Sequence, residues 1–224
     1  MLFSISCMRP SLISSLVGLS LTSFFGITAL PTAAQSSGNA CRISDFNSDF
    51  RNWAVIGHKN HETIKSPTNP GGGNQAAFID TFSAQTANIV DLAKFLNVEV
   101  DRLNKMGEVF EGSAMKTSFT VEAGDTLTFD WNFLTDDFQA SNNDFAFFTL
   151  SDSGDTILAD TFSAFSNSLN NQTSFLHQTG FQTASYTFTT AGTYTFGVGV
   201  VDVGDGSVDS GLMIDNVSLS RPPL

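Results

Sequence analysis

The sequence predicts an all-β protein, a jelly-roll-like antiparallel β-sandwich with a short helical insert. Three observations carry that prediction. Short runs of alternating apolar and polar residues recur along the chain, as where Leu127, Phe129, Trp131 and Phe133 alternate with Thr128, Asp130 and Asn132. Turn signals such as Glu122-Ala-Gly-Asp125 and Ser151-Asp-Ser-Gly-Asp155 separate the runs, at the spacing of about 8–12 residues usual in sandwiches. Aromatic residues are abundant, with 22 Phe among 224 residues, and within the runs they occupy the apolar phase.

The first 34 residues read as a secretory signal peptide. Arg9 is the only charge before residue 42, residues 12–30 are an apolar run, and Pro31-Thr-Ala-Ala34 offers small residues for cleavage. Nothing later is long and apolar enough to span a bilayer, so no stable membrane insertion is expected after cleavage. Cys7 leaves with the leader, so no disulfide is expected within the mature chain. Residues 35–44 read as a flexible lead, 45–220 as one sandwich domain, and 221–224 as a tail. No second domain and no exact repeat are expected.

Within the domain, residues 45–53 read as an entry strand and turn, and residues 54–57 as a strand with Trp53 turned inward. Residues 58–74 hold His58, His61, Pro67, Pro70 and three consecutive glycines, and read as a long surface loop. A strand follows over 75–80. Ile89, Leu92, Ala93 and Leu96 then fall at i, i+3, i+4 and i+7, one face of a helix, with Asn88 as its N-cap. With a second turn over 100–105 this forms the insert, about 88–105, expected to cover one edge or end of the sandwich. From Ala114 the chain is nearly all strand, apart from a Ser/Asn-rich loop over 163–174.

The last stretch reads as two strands joined by an acidic turn, a final hairpin. Tyr194, Phe196, Val198 and Val200 alternate inward; Asp202, Asp205 and Asp209 crowd the turn with Gly204 and Gly206. Leu212 and Ile214 resume the alternation, but the next apolar residues are Val217 and Leu219. Even positions give way to odd ones, which a period of two allows only with one extra residue, so a β-bulge is predicted at Asp215–Asn216.

The formal charge is −12, with 22 acidic against 10 basic residues. That excludes nucleic acid and anionic membrane surfaces as partners. Short acidic side chains also suit compact oxygen cages for calcium, which takes about six to eight oxygen ligands.

Several segments, taken together, resemble a domain of exported bacterial PEP-CTERM proteins, which an exosortase sorts to the surface or matrix. They are Gly112-Ser-Ala-Met-Lys-Thr-Ser-Phe-Thr-Val121, residues 123–134, Asn143-Asp-Phe-Ala-Phe147, Tyr186-Thr-Phe-Thr-Thr-Ala-Gly-Thr-Tyr194 and Gly199-Val-Val-Asp-Val-Gly204. The resemblance implies a secreted jelly-roll-like domain. Such proteins end in a Pro-Glu-Pro motif, an apolar helix and a basic tail, whereas this sequence ends Ser220-Arg-Pro-Pro-Leu224, so free secretion is expected rather than anchoring. Asp45-Phe-Asn47 with Trp53, and Ile214-Asp-Asn-Val217, are similar more loosely to jelly-roll carbohydrate-binding modules. That resemblance implies neighbouring first and last strands sharing a structural calcium, and nominates Asp45, Asn47 and Asp215 as ligands. Asn47 stands where those modules have Glu, which weakens the site by one charge.

Asp144, Asp202 and Asp209 form a second candidate calcium cluster if their loops meet at one end of the sandwich. No nucleophile–base motif accompanies His58, His61 or His177. Trp53 and Trp131 both fall at inward positions, as do the strand phenylalanines, which leaves no evident aromatic platform for sugar. The sequence therefore points first to a non-catalytic exported cell-surface or extracellular-matrix β-sandwich stabilised by calcium, with polysaccharide or surface proteins as partners. A carbohydrate-binding module is the alternative, and a secreted hydrolase using carboxylates the second alternative.

Overall fold

The computed structural model describes residues 5–6, 40–44, 46, 50–63, 75–82, 84–139, 141–151, 154–163 and 174–222. The predicted leader, apart from a two-residue strand β1 (Ile5–Ser6), lies outside these residues, as do Asp45 and Asn47. The predicted sandwich is what forms. Sheet A contains β10 (Gly154–Asp160), β9 (Phe145–Leu150), β13 (Gly192–Val203) and β7 (Val109–Val121) in that order. Beyond β7 lie β3 (Ala54–Ile56), β6 (Ala87–Asn88) and β1, the last in parallel register. Sheet B is centred on β8 (Thr126–Thr135) and β14 (Ser210–Ser220). β11 (His177–Gln178) and β12 (Gln182–Thr187) flank β8; β5 (Gln75–Asp80) and β2 (Ala40–Ser44) flank β14; β4 (His58–Thr63) closes the far edge.

The inward phase of each strand fills the space between the sheets. Phe196 is the hub of that core, with ring centroids 4.9 Å from Phe129, 6.0 Å from Trp53, 6.3 Å from Phe148 and 6.5 Å from Phe119. Trp131 and Phe133 sit inward as predicted. The helix forms over Ile89–Leu96 (α1), with Asn88 Oδ1 accepting the Asp91 N–H at 3.0 Å, and α2 follows at Val100–Leu103. The insert covers neither an edge nor an end. Leu92, Ala93, Leu96 and Leu103 pack instead with Val109, Ala114, Phe147, Val201 and Val203, which are the outward phase of sheet A. Those strands are apolar on both faces, so one face needs a cover. Arg102 and Lys105 fasten the insert to Asp155 on β10, at 2.6 and 2.7 Å.

The bulge forms where the parity change places it. Asp215 pairs with Asp130 and Ser218 with Thr128, so β14 carries one residue more than β8 over that interval. Asn216 takes φ 51°, a left-handed conformation that Asn tolerates, and its side-chain amide donates to Asp130 Oδ2 at 2.8 Å.

Other expectations are corrected. The sandwich begins before residue 45, because residues 40–44 form β2, which pairs with β14 through Ser44 and Val217. Cys41 in that strand is disulfide-bonded in the full chain, which holds one other cysteine, Cys7 of the predicted leader. β13 and β14 are not a hairpin: they belong to different sheets, and residues 204–209 cross between them. Alternation tells a strand's faces but not its partners. His58 and His61 lie in a strand rather than a loop. Gly57 (φ 84°) turns the chain from sheet A to sheet B, and a Cβ there would stand 2.2 Å from Ser113 Oγ.

Candidate functional site

Strand register gathers one set of strand ends at a single end of the sandwich. In sheet A, Val203 pairs with Val109, Val201 with Phe145, and Phe145 with Asp160. In sheet B, Ser210 pairs with Thr135, Gly211 with Asp80, and Asp80 with His58. The crossing of residues 204–209 joins the two sets. Backbone bonds tie the loops together, from Asp136 N–H to Asp209 O (3.1 Å), Thr81 N–H to Ser210 O (2.9 Å) and Gly204 N–H to Glu108 O (2.9 Å).

This end presents apolar side chains to solvent. Phe82 is 67% exposed, Phe110 58%, Phe138 76%, Phe162 56% and Leu176 66%. The strand phenylalanines are buried as expected except Phe110; Phe82, Phe138 and Phe162 follow strand ends. Phe110 is outward because of a second bulge. Asp202 pairs with Glu111 but Val203 with Val109, which leaves Phe110 as the extra residue, re-aimed to the surface.

Phe82 and Phe162 belong to a repeat that the sequence reading missed: Asp-Thr-Phe-Ser-Ala occurs at 80–84 and again at 160–164. The two copies end β5 and β10, in opposite sheets, with the same bonding. The aspartate Oδ1 accepts the Phe N–H, at 3.0 Å for Asp80–Phe82 and 3.1 Å for Asp160–Phe162. The buried threonine bonds a carbonyl through both its N–H and its hydroxyl: Ser210 O for Thr81 and Asp144 O for Thr161. Each copy is a corner that stops a strand and displays a phenylalanine. Recurrence of the pentapeptide was the available signal.

Phe82 and Glu111 border a groove of about 370 Å³ that also takes in Thr81, Ala84, Ser207, Asp209 and Gly206. The Phe110 ring lies against Gly206, where an added Cβ would sit 2.7 Å from it. Burial first, then the charges of Asp80, Asp136 and Glu111, push the Asp209 carboxyl above its ordinary range. Asp80 Oδ1 also meets His58 Nδ1 at 2.7 Å.

Behind the groove, the inward phase of five strand ends forms a buried polar layer between the sheets. Asp144 Oδ1 accepts the Val203 N–H at 2.9 Å, and Asp144 Oδ2 accepts the Ser210 hydroxyl at 2.7 Å. The Ser210 hydroxyl is also 2.8 Å from Thr135 Oγ1, and the Ser210 N–H donates to Thr81 Oγ1 at 2.9 Å. Asp202 is fully buried beside Asp144, and neither of its carboxylate oxygens has a hydrogen-bond partner. The reading of Asp202 as a loop residue is thus corrected: β13 runs to Val203, three residues past Val200, where the alternation ended. Burial raises both carboxyls above the usual range, Asp202 further because the Asp144 charge adds to it.

Among the described residues no three His, Cys, Asp or Glu side chains converge as a metal cage. Of the second predicted cluster, Asp144 and Asp202 meet, while Asp209 contributes charge from the groove. Asp215 is buried at the bulge, where its Oδ1 accepts the Asn216 N–H at 2.7 Å. Shut between the sheets, Asp144 and Asp202 are out of a substrate's reach. No helix among the described residues is long and apolar enough to cross a membrane.

No protein-family model matches the chain, and no curated protein matches it, so the PEP-CTERM resemblance is not shown. Solved structures do match. TmCBM61, determined with β-1,4-galactotriose, is 11% identical over 80% of this chain and 95% of its own, with a TM-score of 0.42. The K1 cleaved adhesin domain of Lys-gingipain from Porphyromonas gingivalis is 14% identical over 82% and 99%, with a TM-score of 0.41. TmCBM27, a mannan-recognising carbohydrate-binding module, is 15% identical over 82% and 99%, with a TM-score of 0.37. The likeness is one of sandwich architecture, which the strand pairing already establishes.

Proposed function

We propose that this protein is a non-catalytic, extracellular carbohydrate-binding β-sandwich whose binding face is the phenylalanine-bearing loop end. One observation carries the reading: Phe82 and Phe110 stand exposed at a groove that also offers Glu111, Asp209, Ser207 and Thr81. Pockets of this kind combine apolar surface with a few placed polar groups. The C–H face of a sugar ring packs on an aromatic ring, while carboxylates and hydroxyls bond the sugar's hydroxyls. With a formal charge of −12, the protein favours neutral over anionic polysaccharides. The alternative named from the sequence therefore moves ahead of the matrix-protein reading, since a structural matrix role does not call for a row of exposed phenylalanines. A calcium held by Asp45, Asn47 and Asp215, fastening the first and last strands, belongs to the same reading.

Calorimetric titration against galactan, mannan and xylan oligosaccharides tests it. Binding to at least one is expected, weakened about tenfold or more, roughly 1.4 kcal/mol, in Phe82→Ala and Phe110→Ala with melting temperatures unchanged. Absence of binding to every neutral glycan by the folded protein would remove the reading.

A further inference from the structure

We propose that Asp144 and Asp202, with the hydroxyls of Thr81, Thr135 and Ser210 beside them, form a buried calcium site between the two sheets. The site lies behind the groove and shares only Thr81 with it, is separate from the strand junction at Asp215, and does not depend on sugar binding.

Asp202 is fully buried, and strand alternation turns it inward with Val198 and Val200, towards Asp144. The Ser210 hydroxyl has one hydrogen to give and lies 2.7 Å from Asp144 Oδ2. The Thr81 hydroxyl points to the Ser210 carbonyl at 3.3 Å. Thr135 Oγ1 already accepts the Asp137 N–H at 2.9 Å and faces Ser210 Oγ. The layer is rich in acceptors and poor in donors: the Thr81 hydroxyl lies near Asp202 but is held at the Ser210 carbonyl, and both Asp202 oxygens stay without a hydrogen-bond partner.

Two buried carboxylates with so few donors are costly when ionised, and the cost is relieved by a paired positive charge. The ligand set selects which one. All the atoms are hard oxygens, without sulfur or imidazole, which disfavours zinc and copper. Two carboxylates match a divalent charge. Three hydroxyls and two carboxylates on five different strand ends cannot supply the rigid octahedron of magnesium, whereas calcium accepts irregular geometry and mixed oxygen ligands. Its position also gives it work to do: Thr81 ends β5, Thr135 ends β8, Asp144 precedes β9, Asp202 is in β13 and Ser210 starts β14. One ion there would clamp both sheets at the end that carries the exposed phenylalanines.

The test is metal analysis and thermal unfolding at about pH 8, with calcium and after chelation, on the full chain and on Asp202→Asn and Asp215→Asn. The expected result is calcium that survives Asp215→Asn, is lost in Asp202→Asn, and whose removal lowers the melting temperature of the parent. If Asp202→Asn fails to fold, terbium luminescence on the parent, competed by calcium and compared with Asp144→Asn, gives the same decision. A parent chain that takes up no calcium and melts identically with and without it would overturn the proposal, leaving a shared proton between the two acids. Calcium lost only in Asp215→Asn would overturn it equally. Neither outcome bears on glycan titrations.

Discussion

Asp144 and Asp202 share one buried layer between the sheets, where Asp144 accepts the Val203 N–H and the Ser210 hydroxyl and neither Asp202 oxygen has a partner. Burial raises Asp144 to about 7, while burial and then the Asp144 charge raise Asp202 to about 9. In the unfolded chain both titrate near ~3.9. Between those values the folded state binds more protons than the unfolded one, so stability falls as pH rises. In chelator, the melting temperature is expected to drop from about pH 5 to about pH 9. Asp202→Asn should flatten that slope, since the amide cannot ionise. A slope that the substitution leaves unchanged would assign the titration to other groups.

The Asn216 bulge sets which face of the last strand is buried. Asn216→Val places a β-branched residue at φ 51°, which costs about 1–2 kcal/mol, and removes the bond to Asp130. Asn216→Gly keeps the conformation and loses the side-chain bonds to Asp130 and Arg42, about 1 kcal/mol. Deleting Asn216 turns Val217 and Leu219 out of the core and should abolish cooperative unfolding. Urea denaturation orders the three.

Arg221 grips Asp125 with two bonds, Nε to Oδ1 at 2.9 Å and an Nη to Oδ2 at 2.8 Å. Asp125 also accepts the Glu122 N–H, so one carboxylate shapes the β7–β8 turn and holds the end of β14. Arg221→Ala should cost about 1–3 kcal/mol, the range for a charge-assisted pair that leaves a buried partner behind. Arg221→Lys should recover only part, because an ammonium cannot make the paired contact.

At the groove, Gly206→Val is the informative change. Its side chain would displace the Phe110 ring and fill space beside Glu111. Gly206 lies in an exposed loop, so the melting temperature should hold while glycan affinity falls about tenfold. Equal affinity would move the binding face away from Phe110.

Much of the fold was legible because alternation is a local record of burial. The Asp215–Asn216 bulge could be read from parity alone, and α1 from four apolar positions and a cap. What escaped was non-local. Parity cannot tell that β13 and β14 enter different sheets, so the chain after Val200 looked like a hairpin turn and Asp202 like a loop residue. Residues 40–44 carry one apolar core position, Ile43, and passed for part of a flexible lead. Phe110 follows the opposite phase only because of a bulge that its own short context does not mark. Of the candidate site, the acidic residues were visible and the exposed rings were not.

β14 lies between β8 on one side and β5 and β2 on the other. Until residues 210–220 are made, sheet B exists only as two separate halves, and Cys41 and Leu219, paired in register, are nearly the whole domain apart in sequence. Such pairing is slow, because the loop entropy is lost before the contacts form. Sheet B therefore closes last: its two halves meet only when residues 210–220 are available to pair with both.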